Sequence, residues 1–372
     1  MNIAVLSNTS WSIFNFRRHL IHSLKDQGHR VVAIAPEDEY SETINSWTTF
    51  IPLKGMQANR KNPFADAVLA RNIRKTFLAE KIDLVFSFTP KGNIYSAFAA
   101  QTCRAICVPT VNGLGTGFEK RGLLSRVLIQ LYKQSFRKCR TVFFQNPDDA
   151  LLFQKKRILK ASSVKLVNGS GVDLTKFTQR SKCVSQSATT TIAFVGRLIA
   201  SKGFMDFIQA ADYFKSNESV HFQLAGSHDS KRSNISLEEL ETLCVNSKVE
   251  YMGFIDDMGE YLNRIGLLVF PSYYPEGLPR ILLEGLASGL SIITCDTTGC
   301  REAVEDGWNG FLVPPRDPSM LAKAIQKFLD LSQARKEEMA ANSRCLAEKK
   351  FSVEKVVKSY LDIVDSLSES AR

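Results

Sequence analysis

The chain has 372 residues, of which 44% are hydrophobic and 23% charged, which excludes a disordered chain and predicts more than one globular domain. Its formal net charge is +10, and no apolar run reaches the roughly 20 residues that a bilayer-spanning helix needs. The eight cysteines include no C-x2-C pair and have no partnering histidines, so they predict reduced thiols in the cytoplasm and no metal cluster.

Strands and helices alternate along both halves of the chain. Apolar, β-branched runs of the first half predict strands at Ile3–Leu6, Arg30–Ala35, Leu84–Phe88, Val108–Val111 and Thr141–Gln145. Helices are predicted between them at Phe16–Gln27, Pro63–Glu80, Asn93–Gln101 and Leu123–Lys138.

The second half repeats the alternation. It predicts strands at Ile192–Val195, His221–Ala225, Val249–Gly253, Leu267–Pro271 and Ser291–Thr294. It predicts helices at Gly203–Lys215, Leu237–Cys244, Met258–Arg264, Arg280–Ser288, Pro318–Asp330 and Val353–Leu367. Two successive series of this kind indicate an α/β protein with two parallel sheets, each covered by helices on both faces.

A polar stretch separates the two series. Residues 176–190 are rich in Ser, Thr, Gln and Lys and show no apolar periodicity, so we place the linker at Lys176–Thr190. We therefore predict an N-terminal domain over residues 1–176 and a C-terminal domain over residues 190–350.

The positive charge is concentrated in the first half. Residues 1–176 contain 26 Lys+Arg and 12 Asp+Glu, a balance of +14, whereas residues 177–372 contain 22 and 26, a balance of −4. A basic half predicts a polyanionic partner, either nucleic acid or an anionic membrane surface. Because no zinc-finger spacing, RNP-like motif or helix-turn-helix signal is present, we predict an anionic membrane surface and no nucleic acid.

One segment of the basic half has the pattern of an amphipathic helix. In Arg121–Arg140 one face holds Leu124, Val127, Leu128, Leu131 and Ser135, and the cations Arg126, Lys133, Arg137 and Lys138 fall largely on other faces. Such a helix can lie in a membrane interface, where each cation near an anionic leaflet contributes about 1 kcal/mol. It can equally be an ordinary helix packed on the first sheet, and both interpretations stay open.

Polar residues follow three predicted strands of the first half. Ser12 and Asn15 follow the first strand, Lys91 follows the third, and Asn112 and Gly113 follow the fourth. Ligands of α/β sheets bind beyond the carboxyl ends of the strands, which makes these residues candidate contacts for a second substrate or its phosphate. The glycines of residues 113–117 form either such a loop or a simple turn, and they lack the G-x-G-x-x-G placement of a dinucleotide site.

The second half carries a cation pair after its first strand. Gly196 ends the run Ile192–Val195, and Arg197 and Lys202 flank the turn into the next helix. Arginine binds a pyrophosphate as a planar fork and lysine binds it as a point charge, so this pair suits a diphosphate.

Two glutamates separated by seven residues follow the strand Leu267–Pro271. Glu276 lies in the loop, and Glu284 lies inside the helix that begins near Pro279. Gly277 and Leu278 supply backbone N–H groups at the positive end of that helix, where a diphosphate is favoured. A carboxylate such as Glu284 can accept both hydroxyls of a ribose. Together with the cation pair, the motif predicts a site for a nucleotide diphosphate that carries a further group.

These motifs resemble glycosyltransferase family 4, whose members are retaining enzymes of GT-B fold, with two Rossmann-like βα domains facing across a cleft. The resemblance rests on G-R-x4-K-G at Gly196–Gly203 and on E-G-x6-E at Glu276–Glu284. It extends to Asn168–Phe177, which is similar to an inter-domain N-G-V-D-x3-F segment with Ser170-Gly171 inserted, and to Gly299–Val313. In the first half, Ser12–Arg17 and Val111–Gly115 resemble the bacterial branch that extends undecaprenyl-diphosphate-linked sugars.

The resemblance implies roles for the candidate residues. The donor would be a nucleotide-diphosphate sugar, most simply a UDP-sugar, with Arg197 and Lys202 on the leaving diphosphate. Glu276 would contact the transferred hexose or N-acetylhexosamine, without being assigned as a nucleophile, and Glu284 would hold the ribose. A lipid-diphosphate-linked saccharide would be the acceptor, in O-antigen, capsule or exopolysaccharide assembly. The resemblance also implies that the C-terminal helix, residues 353–372, crosses back onto the first domain.

Further expectations concern metal, location and alternative activities. The chain contains no D-x-D pair, so we predict no bound metal and no cofactor. We expect a cytoplasmic protein, peripheral on the inner face of the cell membrane. The alternatives are a UDP-sugar 2-epimerase of GT-B architecture, a metal-dependent transferase of the other major fold, and a non-catalytic nucleotide-sugar-binding protein.

Overall fold

The computed structural model describes residues 1–56, 63–118, 122–178 and 189–370. The chain divides into two compact units, Met1–Gly171 with Val353–Arg372, and Val172–Ser352. The first segment of the first unit ends at Gly171, whereas the predicted N-terminal domain extends to Lys176. Most of the predicted linker, residues 179–188, lies outside the described residues, so the domain boundaries stay predictions.

The first unit is built on a seven-stranded parallel sheet. Its strands are β1 (Asn2–Leu6), β2 (Arg30–Ala35), β3 (Thr49–Pro52), β4 (Leu84–Phe88), β5 (Ile106–Val111), β6 (Val142–Phe144) and β7 (Val164–Leu166). The order β3-β2-β1-β4-β5-β6-β7 reverses between β1 and β4, which pair with Ile3 opposite Leu84. Strands β1 and β4 are buried along almost their whole length, as expected for a parallel sheet covered on both faces.

Seven helices described before residue 171 connect these strands. They are α1 (Ser10–Phe16), α2 (Arg18–Asp26), α3 (Ser41–Trp47), α4 (Pro63–Ala79), α5 (Pro90–Cys103), α6 (Leu123–Phe136) and α7 (Pro147–Lys155). One core lies beneath α4, α5, α6 and α7 and includes Phe77, Tyr132 and Phe153. A second core lies on the other sheet face beneath α1, α2 and α3. Helices on both faces make this a three-layer unit.

The second unit has a six-stranded parallel sheet. Its strands are β8 (Thr190–Val195), β9 (Val220–Ala225), β10 (Val249–Gly253), β11 (Leu267–Phe270), β12 (Ser291–Cys295) and β13 (Gly310–Val313). The order is β10-β9-β8-β11-β12-β13, so the sheet reverses between β8 and β11, which pair with Leu267 opposite Ile192. Its helices are α8 (Phe204–Ala211), α9 (Ser230–Ser233), α10 (Leu237–Asn246), α11 (Met258–Arg264), α12 (Arg280–Ala287), α13 (Pro318–Leu329) and α14 (Gln333–Leu346).

The last helix belongs to the first unit. After a π-helical turn at Ala347–Phe351, α15 (Val353–Ser370) packs against α2 and the second core of that unit. Tyr360 is 1% exposed, and its hydroxyl lies 3.0 Å from the hydroxyl of Thr110 at the end of β5. Gly171, just before the second unit begins, has no room for a side chain because a Cβ there would lie 2.6 Å from the Cα of Val353.

The predicted strands all occur, but three short ones were missed. β3, β7 and β13 lie at sheet edges and contain three or four residues each, too few to establish a hydrophobic period. The helix predicted over Phe16–Gln27 corresponds to α2, but α1 was missed, and the chain breaks between the two helices at Arg17, whose φ is −124° and ψ 0°. Arg17 is 2% exposed, with its guanidinium carbon 3.7 Å from the centroid of the Phe88 ring. This buried cation–π contact is tertiary and leaves no local signal.

Candidate active site

The two motifs of the second half lie at the carboxyl ends of neighbouring strands. Gly196 and Arg197 follow β8, and the loop with Glu276 follows β11. These are the two strands between which the order of the sheet reverses. Parallel α/β sheets bind ligands at such a reversal, because the adjacent loops leave in opposite directions and open a crevice.

The turn after β8 is pressed against the end of β11. Ala200–Lys202 form a single 3-10 turn, and Gly203 follows with a φ of +78°. A Cβ at Gly203 would lie 2.1 Å from the carbonyl oxygen of Pro271, so only glycine fits. This close approach fixes the position of the backbone next to Lys202. Arg197, in contrast, is exposed.

Lys202 and Glu276 form an ion pair. The Lys202 Nζ lies 2.9 Å from Glu276 Oε1, and their side chains are only 13% and 16% exposed. The ammonium also lies 5.3 Å from the centroid of the Phe270 ring. Two residues predicted for the site are thus in direct contact, in surroundings with little water, where charge–charge interactions are stronger than at the surface.

The second glutamate is also paired. Pro279, with a φ of −61°, caps α12 at its N-terminus, and Gly277 and Leu278 before it are buried. Glu284 lies one turn into the helix and accepts a hydrogen bond from Arg280 Nε at 2.8 Å through its Oε1. Its side chain is 14% exposed. Arg280 is therefore an additional positioning group, at the i to i+4 spacing that a helix provides.

Tyr273 connects the loop that contains Glu276 to the turn at Ala200–Lys202 by two hydrogen bonds. Its N–H donates to the Ser201 carbonyl at 2.9 Å, and its hydroxyl donates to the Ala200 carbonyl at 2.9 Å. The guanidinium of Arg316 lies 4.6 Å from the centroid of the tyrosine ring. Burial raises the pKa of the Asp206 carboxyl on α8, and the nearby Arg316 opposes that shift. Sequence reasoning missed Tyr273 because its role depends on a partner turn seventy residues away.

Gly299 packs against the backbone of the loop that contains Glu276. Its φ is +81°, and a Cβ there would lie 2.4 Å from the Gly277 oxygen and 2.8 Å from the Glu276 oxygen. The neighbouring Cys300 is completely buried, and burial, followed by the charge of Glu276, raises the pKa of its thiol to about 12. A glycine in a loop was the available signal in the sequence, but its close approach becomes visible only in three dimensions.

The polar residues predicted in the first half do not form one open loop. Ser12 and Asn15 lie inside α1 and not in a loop before it; the Ser12 hydroxyl accepts from Ser7 at 3.0 Å, and the Asn15 amide donates to the Trp11 carbonyl at 3.0 Å. Lys91 Nζ lies 2.9 Å from Asp66 Oδ1. Ser12 and Asn15 follow β1 and Lys91 follows β4, so these three residues come after the carboxyl ends of neighbouring strands.

Asn112 differs from those three residues. It follows β5 and is succeeded by Gly113, whose φ is +94°. The Asn112 Oδ1 atom is buried and accepts no hydrogen bond from the described residues. An amide oxygen in that position can accept a hydrogen bond from a ligand hydroxyl.

The basic helix α6 packs on the core by one face. Tyr132 and Phe136 are each 1% exposed, whereas Val127, predicted on the apolar face, is 48% exposed. The side chain of Leu124 and the whole of Arg121 lie outside the described residues. A groove of about 480 Å³ runs beside α6 and is lined by Phe98, Gln101, Gln130, Lys133, Gln134 and Arg137.

The described part of the chain offers neither a metal cluster nor a membrane span. Within it, no group of three or more His, Cys, Asp or Glu side chains is arranged to hold a metal ion. None of its helices combines the length and apolar character that crossing a bilayer requires.

Two family models match the chain, one in each half. "Glycosyl transferase 4-like domain" matches residues 15–167, and "Glycosyl transferases group 1" matches residues 189–330. The two parallel-sheet domains and these matches define a glycosyltransferase of GT-B fold. The chain belongs to glycosyltransferase family 4.

Relatives and solved structures agree with this assignment. The chain is 27% identical over 351 residues to the N,N'-diacetylbacillosaminyl-diphospho-undecaprenol alpha-1,3-N-acetylgalactosaminyltransferase of Campylobacter jejuni, covering 89% of this chain and 90% of the relative. It is 26% identical over 276 residues to the UDP-Gal:alpha-D-GlcNAc-diphosphoundecaprenol alpha-1,3-galactosyltransferase of Escherichia coli, covering 70% and 69%. The structure of Anabaena HepE in complex with UDP and glucose matches with a TM-score of 0.81 at 19% identity, covering 98% of this chain and 100% of that one, which shows the shared fold.

Proposed function

We propose that this glycosyltransferase moves a hexose or N-acetylhexosamine from a UDP-sugar to a saccharide carried on a lipid diphosphate, with retention of anomeric configuration. Two relatives are named for transfer to diphospho-undecaprenol-linked sugars, and one solved neighbour binds UDP and glucose. The product would enter O-antigen, capsule or exopolysaccharide assembly. The observation that carries the proposal is the contact of Lys202 with Glu276 where β8 and β11 end side by side.

The donor would be held by the loops of the second unit. When the bond between the anomeric carbon and the diphosphate oxygen breaks, negative charge grows on the leaving UDP. Arg197 and Lys202 would stabilise that charge, together with the N-terminus of α12 and the backbone N–H groups of Gly277 and Leu278. The exposed Arg197 is free to follow the diphosphate, whereas Lys202 is already oriented by its carboxylate partner.

The two glutamates would bind the transferred sugar and the ribose of the donor. Glu276 would accept hydrogen bonds from the transferred sugar, and the ribose hydroxyls would bind Glu284, whose Oε1 is anchored by Arg280. A carboxylate held in place by a neighbouring guanidinium loses little freedom when it binds, which favours selective recognition. Gly196, at the end of β8, brings the backbone close to the Phe270 ring, since a Cβ there would lie 3.1 Å from a ring carbon.

The acceptor would bind at the carboxyl edge of the first sheet. Asn112 presents a buried acceptor oxygen there, and Gly113 allows the backbone to turn beside it. Lys91, paired with Asp66, would contribute a positive charge near the acceptor diphosphate. Asn15 would contact the acceptor through its amide oxygen, and Ser12, whose hydroxyl accepts from Ser7, would donate its own O–H.

The basic helix would hold the enzyme on the cytoplasmic face of the cell membrane as a peripheral protein. Residues 121–140 contain no acidic residue, and Lys133 and Arg137 line the groove beside α6. With the core against Tyr132 and Phe136, the remaining faces of α6 are available to lipid phosphates.

The transfer proposal is tested by incubating the purified enzyme with individual UDP-sugars and undecaprenyl-diphosphate-linked N-acetylglucosamine in detergent. We expect UDP release and an extended lipid-linked product, with the donor's anomeric configuration visible by NMR. Conversion of the UDP-sugar without an acceptor would instead identify a 2-epimerase. Binding of UDP-sugars without turnover, with every acceptor offered, would identify a non-catalytic binding protein.

The membrane proposal needs a charge-matched comparison. One variant replaces Arg126, Lys133, Arg137 and Lys138 with Gln, and the control replaces Lys155, Lys156, Arg157 and Lys160. We expect only the first to lose binding to anionic vesicles, because both remove the same charge but only the first removes it from α6. Equal vesicle binding by the two variants would show that α6 is only a packed helix.

A further inference from the structure

Trp11 is a large, partly exposed aromatic side chain near the carboxyl ends of the strands of the first sheet. It is 43% exposed and lies in the first turn of α1, directly after β1. β1 is one of the two strands between which the order of this sheet reverses. An isolated exposed aromatic is ordinary on a protein surface, but one at the reversal point of a parallel sheet stands where ligands bind.

Both the backbone and the ring of Trp11 are held in place by neighbouring residues. Asp38 Oδ2 accepts hydrogen bonds from the backbone N–H of Ser10 at 3.0 Å and of Trp11 at 3.1 Å. The Phe16 ring meets the indole edge to face, with centroids 5.1 Å apart and an interplanar angle of 88°. A fixed aromatic ring loses little entropy when a ligand covers it.

The other aromatic residues of α1–α3 are used internally. Phe14 packs with Tyr40 at 4.8 Å and with Trp47 at 5.4 Å, and the Arg18 guanidinium lies 5.1 Å from the centroid of the Trp47 ring. Trp47 is therefore a structural tryptophan, because its ring contacts Phe14 and Arg18. It provides a matched control.

We propose that Trp11 is the platform on which a sugar of the saccharide acceptor stacks, an assignment that rests on the proposed function. A pyranose has an apolar C–H face and a rim of hydroxyls. The electron-rich indole face attracts polarised C–H groups and removes apolar surface from water. The Asn15 amide N–H donates to the Trp11 carbonyl, and its oxygen would accept a hydrogen bond from a hydroxyl of the same sugar.

Tryptophan fluorescence tests this contact without turnover. The chain has three tryptophans, so the variant Trp47→Phe/Trp308→Phe reports on Trp11 alone. We expect its emission to change in a saturable way with undecaprenyl-diphosphate-linked N-acetylglucosamine in detergent, and not with undecaprenyl diphosphate that lacks the sugar. Trp11→Phe, which retains Trp47, should give no such change. An equal response to the lipid without sugar would overturn the proposal and assign Trp11 to lipid contact.

Steady-state kinetics test the same contact independently. Trp11→Ala should raise the acceptor KM about tenfold, equivalent to about 1.4 kcal/mol, and leave the donor KM unchanged. Trp11→Phe should recover most of that loss, whereas Trp11→Leu, which is apolar but not aromatic, should not. These variants should fold, because the bonds to Asp38 come from the backbone. An unchanged acceptor KM in Trp11→Ala would refute the assignment. Absence of transfer by the parent enzyme would refute the proposed function, and the fluorescence titration would still decide the role of Trp11.

Discussion

Replacing Lys202 by Met separates a role in catalysis from a role in folding. The substitution removes the ammonium and keeps an apolar stem beside Phe270. It leaves Glu276, which is 16% exposed, without its partner at 2.9 Å. Breaking an exposed ion pair costs at most about 1 kcal/mol and breaking a buried one costs about 3–5 kcal/mol, so we expect this variant to lose about 2 kcal/mol of unfolding free energy.

Transfer should fall by more than that loss of stability explains. A charge-assisted hydrogen bond contributes about 1.5–3 kcal/mol, which corresponds to a roughly 10- to 150-fold decrease in kcat if Lys202 stabilises the leaving diphosphate. The measurements are urea unfolding followed by circular dichroism, and initial rates of UDP release at a temperature where the variant is folded.

The double variant Lys202→Met/Glu276→Gln distinguishes the two roles. It removes the carboxylate charge together with the ammonium, so its unfolding free energy should return close to that of the parent, whereas its kcat should remain low. Recovery of the rate together with the stability would refute the catalytic assignment and leave Lys202 a structural partner. Lys215→Met is the control, since Lys215 also lies 2.9 Å from a carboxylate, that of Asp212, but both side chains are more than 40% exposed.

Three further predictions concern pH, loop support and metal. Burial raises the pKa of Asp149 from 3.8 to about 6, so the folded chain holds this proton to a higher pH than the unfolded chain does. The unfolding free energy should therefore fall by about 3 kcal/mol as pH rises from about 4 to about 6. Urea unfolding at several pH values should show this fall in Asp148→Asn and not in Asp149→Asn. Gly299→Ala should lower kcat at least about tenfold because its Cβ would press on the Gly277 oxygen, whereas Gly307→Ala, with a similar φ of +75° and no atom within 4 Å, should cost stability alone. Initial rates in excess EDTA should persist if Arg197 and Lys202 meet the leaving diphosphate, and complete loss restored by Mg²⁺ would favour a metal-dependent mechanism instead.

Local sequence was sufficient for the framework of both units. Strands such as Arg30–Ala35 and Leu84–Phe88 were predicted with the bounds that the structure has, because buried parallel strands are continuous apolar runs. The glycines and charged residues at strand ends indicated the glycosyltransferase family before any contact was known. Placement at carboxyl ends follows from chain direction alone, so the sheet edge of the candidate site was also determined by the sequence.

Side-chain partnerships were decided by the tertiary structure. The pairing of Lys202 with Glu276, the clamp made by Tyr273 and the glycine-only approach at Gly299 join loops that are far apart in sequence, so no local pattern encodes them. Arg17, at the break between α1 and α2, is likewise buried against the ring of Phe88, which is far from it in sequence. Periodicity shows which residues an isolated helix or strand can bury, whereas the neighbours that pack against it decide which of them remain open, as at Trp11 and Val127.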